Sequence, residues 1–296
     1  TIREKTGATN SLTINQLNGL ISDVCSIDTF THLIKGDIET LTIPNPSTVI
    51  GDYAFRDCSS LTSVVIGDSV TTIGADAFWA CHELSYISLG ESLDSIAEHA
   101  FFACDSLIVN VTKIETLFKD YKFGSWASNP FSCSIELCLN DEPIVNLEVP
   151  NTVTKIPGGR FSGRNITSVT IPNSVKVIGD AAFENCTELS MLSLGSSLDS
   201  IGVRAFGGCK ALNSLEIPNS VTSIQQGAFY DCYNLKSITL GTSITSIGKS
   251  AFGNIGAWTS DTKVFFPNIE WIFDVLIEHE GNHDLFSKNL FVGQQP

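Results

Sequence analysis

His279, Glu280, Gly281, Asn282 and His283 form the one string in this chain with a catalytic pattern, H-E-x-x-H. On a helix, two His four residues apart share a face and can hold zinc, with the Glu as general base. The chemistry would be hydrolysis by metal-activated water, that of a metallopeptidase. Three features oppose it. Gly281 and Asn282 are poor helix formers at its centre. A third ligand is needed, and among the 13 residues after His283 only Asp284 is a carboxylate or imidazole. The segment also aligns with GSWASNPF at 124–131, which has no His. The string reads as coincidence in a polar loop. His32, His82 and His99 show no metal spacing, and there is no P-loop, GxSxG or GxGxxG. The expectation is no catalytic residue, no metal and no cofactor.

Cysteine is the other reactive type. Six of the nine, at 58, 81, 104, 186, 209 and 232, recur at the same place in a repeated phrase. Stacked on parallel neighbours, their Cβ atoms would lie about 4.8 Å apart, whereas a disulfide needs about 3.8 Å and convergence. They read as buried thiols filling small core space. No CxxC pair offers a zinc site. Cys133 and Cys138 are undecided, and Cys25 has no obvious partner. So many free thiols suit an anaerobic or reducing niche.

Lys+Arg 17 against Asp+Glu 32 gives a net charge of −15. That argues against nucleic acid or an anionic membrane as partner. No apolar run approaches the ~20 residues of a membrane span. The chain opens with neither Met nor a basic leader, as a mature fragment with its targeting segment removed would. Sequons stand at Asn110, Asn165 and Asn185 and matter only in a eukaryotic secretory host.

The positioning framework is a 23-residue phrase: SVTTIGADAFWAC at 69–81, SLDSIAEHAFFAC at 92–104, SVKVIGDAAFENC at 174–186, SLDSIGVRAFGGC at 197–209 and SVTSIQQGAFYDC at 220–232. Phe55, Phe78 and Phe101 keep the step, as do Phe183, Phe206, Phe229 and Phe252. A fixed period of this length signals a solenoid, whose long regular surface suits binding better than chemistry. Between phrases run LTSVVIG, LSYISLG, ITSVTIP, LSMLSLG, LNSLEIP and LKSITLG. Their apolar-polar-apolar ends predict short parallel strands with one buried face, closed by Pro or Gly. One unit names the core: Leu212, Leu215, Ile217, Val221, Ile224, Ala228, Phe229 and Cys232. Continuous stacking would give one elongated body.

The pattern L-x-x-I-x-L/I-P/G followed by SV-x-x-IG-x-x-AF-x-x-C resembles the leucine-rich repeats of the BspA-like class, found in surface proteins of bacteria and some protozoan parasites. The match covers roughly 38–113 and 144–267. The resemblance implies a curved leucine-rich-repeat solenoid with irregular or short helical return segments, secretion or surface display, and adhesion to extracellular or host proteins. It implies no particular ligand.

The repeats are interrupted. Ile114, Leu117 and Phe118 share an i, i+3, i+4 spacing with Leu17, Leu20 and Ile21 and with Ile269, Ile272 and Phe273, which predicts short amphipathic helices. Hairpin-like stretches follow at 134–150 and 30–44, with turns at NDEP and KGD. The third copy reaches LFVGQQP, where a new strand would be expected. The expected organisation is a helix–hairpin cap at 1–37, a first repeat block at 38–113, an inserted helix–hairpin element at 114–143, a second block at 144–267 and a partial cap at 268–296. These elements read as spacers that cap open core ends.

The expected working surface is the strand face, where residues between core positions point outward. Its central row is Thr42, Val65, Ser88, Glu148, Thr170, Ser193, Glu216 and Thr239, flanked by Tyr86, Met191 and Lys236. It is small and hydroxylated, with few of the Trp, Tyr and Arg anchors of hot spots. Tyr121 and Trp126 of the inserted element are alternative exposed anchors. The functional expectation is a non-enzymatic secreted or surface protein that binds proteins; a passive scaffold or stalk is the alternative, and a zinc peptidase built on 279–283 the remote one.

Overall fold

The computed structural model describes residues 11–13, 39–45, 47–104, 106–123, 130–255, 262–268, 276–277, 282 and 289–292. The chain divides into two compact units, Thr1–Pro143 and Ile144–Pro296.

In the first unit, Ser11–Thr13, Thr40–Ile43, Ser63–Ile66, Tyr86–Leu89, Leu107–Val111 and Ser134–Leu139 pair in parallel, in that order. The register puts Leu41, Val64, Ile87, Val109 and Leu137 in one column, all buried. Alternation decides this: with period two, the branched apolar residues fall on one face and the hydroxylated ones on the other. In the second unit the same ladder runs through Asn146–Glu148, Ser168–Thr170 and Met191–Ser193. It continues separately through Ser214–Glu216, Ser237–Thr239, Lys263–Phe266 and Asn289–Val292.

The return segments take the irregular form of the expectation rather than the short helical one. The repeated phrases form no helix; among the described return segments only the one between Val111 and Ser134 holds any, at Ile114–Phe118 and Pro130–Cys133. Each contributes a two-residue strand to a second parallel sheet: Val49–Ile50, Thr72–Ile73, Ser95–Ile96 and Lys122–Phe123 in the first unit. In the second, Lys155–Ile156, Val177–Ile178, Ser200–Ile201, Ser223–Ile224, Ser246–Ile247 and Leu276–Ile277 do the same. The AF phrase then crosses as a turn with a residue of positive φ two places before and two places after each Phe, as at Ala181 (54°) and Asn185 (59°) around Phe183. This geometry turns successive N–H groups along the stack, so that Phe183 N donates to Ala205 O (2.8 Å) and Phe206 N to Ala228 O (2.8 Å). A helix would have spent those bonds within its own segment, leaving adjacent turns unconnected there.

The Phe side chains form two columns of nearly parallel rings, Phe55–Phe78–Phe101 and Phe161–Phe183–Phe206–Phe229–Phe252, with centroids 5.2–5.4 Å apart. All eight core residues of the unit 212–232 are buried. Gly follows Pro from turn to turn for a steric reason. A Cβ on Gly195 would lie 2.3 Å from Pro172 O, and one on Gly241 2.3 Å from Pro218 O.

Polar side chains also link turns, an arrangement the apolar pattern did not reveal. Asn173 Oδ1 accepts from Ser196 N (2.7 Å) and Asp180 Oδ1 from Val203 N (2.8 Å). The interruption 114–143 begins with a 3-10 helix, Ile114–Phe118, rather than an α-helical turn. Its Thr116, Leu117 and Phe118 are buried. A hairpin follows, Ser134–Leu139 antiparallel to Glu142–Pro143, turned by Asn140 and Asp141 at φ 52° and 66°. The pairing ends at Pro143, and Asn146–Glu148 already belongs to the second unit's parallel ladder. Helices expected near 17–21 and 269–273, and most of the hairpin expected at 30–44, lie outside the described residues; Thr40–Ile43 pairs in parallel. Near the C-terminus the expected strand is present as Asn289–Val292.

Candidate functional site

The strand face differs between the units. In the first, Thr42 and Val65 are exposed, but Ser88 is buried, against expectation. The hairpin tip covers it: Tyr86 Oη donates to Asp141 Oδ1 (2.5 Å), Asp141 N donates to Asn110 Oδ1 (2.9 Å), and Asn110 Nδ2 donates to Ser88 Oγ (3.3 Å). Burial and the Asp141 carboxylate push the Tyr86 phenol up to about 12. Tyr86 is therefore held in a polar network. Asn110 is buried with its amide engaged, so its sequon conflicts with the fold, whereas Asn165 and Asn185 are exposed.

In the second unit Glu148, Thr170, Ser193 and Glu216 are exposed, as are Met191 and Lys236. Thr239 is half-buried; its partner in the next strand is the bulky Phe265. Between Met191–Ser193 and Ser214–Glu216 the ladder is interrupted, and these strands belong to different sheets. A depression of about 400 Å³ opens there, lined by Leu192, Ser193, Leu194, Ser196, Glu216, Pro218 and Asn219. Ser193 and Glu216 belong to the row expected from sequence. The other five do not, because a missing rung leaves no mark in a regular repeat.

The inserted element supplies no exposed anchor at Tyr121. That residue is buried, and its hydroxyl donates to Thr116 O (3.0 Å). Trp126 lies outside the described residues.

Of the string 279–283, only Asn282 is described. It is buried; its Oδ1 accepts from Phe252 N (3.0 Å) and its Nδ2 donates to Gly248 O (2.8 Å). Its amide takes the place that a further turn's carbonyl would occupy above Phe252. That gives the centre of H-E-x-x-H a structural task. Among the described residues no group of three His, Cys, Asp or Glu could hold a metal ion.

The repeat-locked cysteines, Cys58, Cys81, Cys104, Cys186, Cys209 and Cys232, are buried free thiols, and so is Cys138. Cys81 Sγ donates to Phe55 O (3.1 Å), Cys186 to Phe161 O (3.0 Å) and Cys232 to Phe206 O (3.3 Å). Each of these three thiols thus adds a bond to the carbonyl of the column Phe one turn back. Burial pushes Cys81 and Cys232 up to about 12 and Cys186 to about 11. Such thiols are poor nucleophiles and poor ligands at neutral pH, since both roles need the thiolate. Cys25 and the Cys133 side chain lie outside the described residues.

Parallel ladders stacked on a 23-residue period, with Leu, Ile and Phe columns inside, define a leucine-rich-repeat solenoid. The family model for the BspA type leucine rich repeat region matches residues 26–126 and 136–258, and the chain belongs to that family. No curated protein matches it. Among solved structures it is similar to a leucine-rich cell surface protein from Faecalibacterium prausnitzii, with 22% identity, TM-score 0.47, and coverage of 81% of this chain and 82% of that one. It is similar also to the pneumococcal vaccine antigen PcpA, at 17% identity and TM-score 0.48 over 87% and 80%. A third is a leucine-rich repeat protein from Bacteroides ovatus, at 21% and 0.46 over 86% and 78%. Among the described residues no helix is long and apolar enough to cross a membrane.

Proposed function

We propose that this chain is a secreted or surface-displayed protein that binds extracellular or host proteins and performs no catalysis. The observation that carries the reading is the second unit's outward row. Glu148, Thr170, Ser193 and Glu216 are exposed along parallel strands whose backbones are fixed from behind by stacked core columns. A rigid surface loses little entropy on binding. Met191, 62% exposed beside the depression at Leu192, adds an adaptable apolar contact. The surface location follows the family resemblance.

The test is a binding screen of the full chain against immobilised extracellular-matrix and plasma proteins. At least one should bind saturably and lose affinity with Thr170→Lys or Glu216→Lys, which reshape the row without touching the core. Binding that survives both changes would move the site off this face. One observation favours a stalk instead: the row holds no Trp, Tyr or Arg. Failure of every immobilised protein to bind would support that second reading.

A further inference from the structure

The residue after each column Phe points outward, and in the first unit these residues are Arg56, Trp79 and Phe102. They stack as the core column does. The Arg56 guanidinium lies 4.3 Å from the Trp79 ring centroid, and Trp79 and Phe102 are 6.2 Å apart with 9° between their planes. Phe102 is 45% exposed and Tyr53, 5.6 Å from the same guanidinium, is 54% exposed. The equivalent positions of the second unit are Ser162, Glu184, Gly207, Tyr230 and Gly253. Two exposed aromatics, Tyr53 and Phe102, with the half-buried Trp79 between them, need an explanation that the repeat itself does not give.

Charge says what would cover it. From residue 39 to 104 the sequence carries nine carboxylates and a single Lys or Arg, Arg56. From 144 to 255 it carries seven carboxylates and eight Lys or Arg. Of the two repeat blocks, the one with the aromatic face therefore carries the excess negative charge, 8 of the chain's net 15. The single cation there shows how the face receives a guanidinium: stacked on Trp79, with Nη1 3.0 Å from Asp76 Oδ2 and Nε 3.9 Å from Asp57 Oδ2. Beyond Trp79 the column continues to the exposed Phe102; His99 stands edge-on to that ring, with centroids 5.9 Å apart, and its Nε2 lies 3.7 Å from the carboxylate of Glu98, whose side chain is 63% exposed. An arginine binds such a place through its planar face as well as its charge, which a lysine cannot match.

We propose that this turn face of the first unit docks an arginine-bearing basic segment of a partner protein. Its residues belong to the first unit and those of the proposed strand-face site to the second, so either reading can fail without the other.

The experiment titrates the full chain calorimetrically with a blocked octapeptide of alternating Arg and Gly, and with matched Lys–Gly peptide and neutral oligosaccharides. Saturable binding of the Arg peptide should weaken as salt rises. The Lys peptide should bind more weakly. Phe102→Ala should weaken the Arg peptide about fivefold, and Glu98→Lys, at a side chain too exposed to matter for folding, should weaken it as well. Thr170→Lys and Tyr230→Ala should leave it unchanged. The proposal is overturned by absence of saturable Arg-peptide binding at low salt. It is equally overturned by equal affinity for Arg and Lys peptides with wild-type behaviour of Phe102→Ala, or by binding of a neutral oligosaccharide in the peptide's place.

Discussion

At the scale of single residues, the groups with reactive chemistry are spent on structure. Each of the thiols at 81, 104, 186, 209 and 232 donates to a Phe carbonyl one turn back, and burial raises the pKa of those at 81, 186, 209 and 232. Cys232, up to about 12 from an ordinary 9.0, sets a sign for pH. The folded state prefers the thiol, so its contribution is complete below about pH 9 and is lost as pH climbs towards 12. The stability of the native protein should fall over that window, and Cys232→Ala should show a shallower fall in urea midpoints measured between pH 9 and 11. Identical slopes would show that the thiol does not titrate as described. With a disulfide reagent at pH 8, the six repeat-locked thiols should stay silent until urea is added and then all react; recovery of three or fewer thiols in total would mean that disulfides staple the coil. Asn282 makes the second residue-scale case. Asn282→Ala removes the partner of Phe252 N–H in a buried place and should destabilise by about 1–3 kcal/mol. The double change His279→Ala, His283→Ala should leave the melting temperature alone, and metal analysis should find no stoichiometric zinc. Stoichiometric zinc that disappears in the double variant would move the protein towards the enzyme class.

At the scale of the repeat element, the turn geometry carries strain that one substitution can release. Ala181 sits at φ 54°, where Gly159 and Gly227 hold the equivalent place in other turns at 63°. The left-handed conformation costs a non-glycine residue about 1–2 kcal/mol, and glycine adds about 0.5–1 kcal/mol of unfolded-state entropy. The first effect wins, so Ala181→Gly should stabilise by about 0.5–1 kcal/mol in urea denaturation; a loss of stability would show that the turn is unstrained. Strand positions, core columns and the hairpin at Asn140–Asp141 were legible because period-two alternation and turn residues are local signals. The second parallel sheet was not, since two residues such as Ser200 and Ile201 give no alternation to read. The burial of Ser88 was also invisible, because the group that covers it, Asp141, arrives from 53 residues further along the chain. The outward column Arg56–Trp79–Phe102 was present in the sequence as the residue after each repeated Phe. It gives no repeat signal of its own, because the residue after the Phe changes type from turn to turn.

At the scale of the whole molecule, the repeat register divides the chain into side chains that hold it together and side chains that it presents. In the second unit the register leaves a small, hydroxylated strand face open; in the first it stacks aromatics outward above an acidic block. Both functional readings depend on that assignment being right residue by residue. Phe101 and Phe102 test it most directly, being adjacent, identical in type and within one unit. Phe101 is 1% exposed and stacked 5.3 Å from Phe78, whereas Phe102 is 45% exposed. Urea denaturation of Phe101→Ala and Phe102→Ala, followed by far-ultraviolet circular dichroism, compares them. The register predicts a loss of about 3–5 kcal/mol for Phe101→Ala and under about 1 kcal/mol for Phe102→Ala, which gives up ring contacts to Trp79 and His99 at an exposed place. Equal losses, or the reverse order, would contradict the register and with it both surfaces.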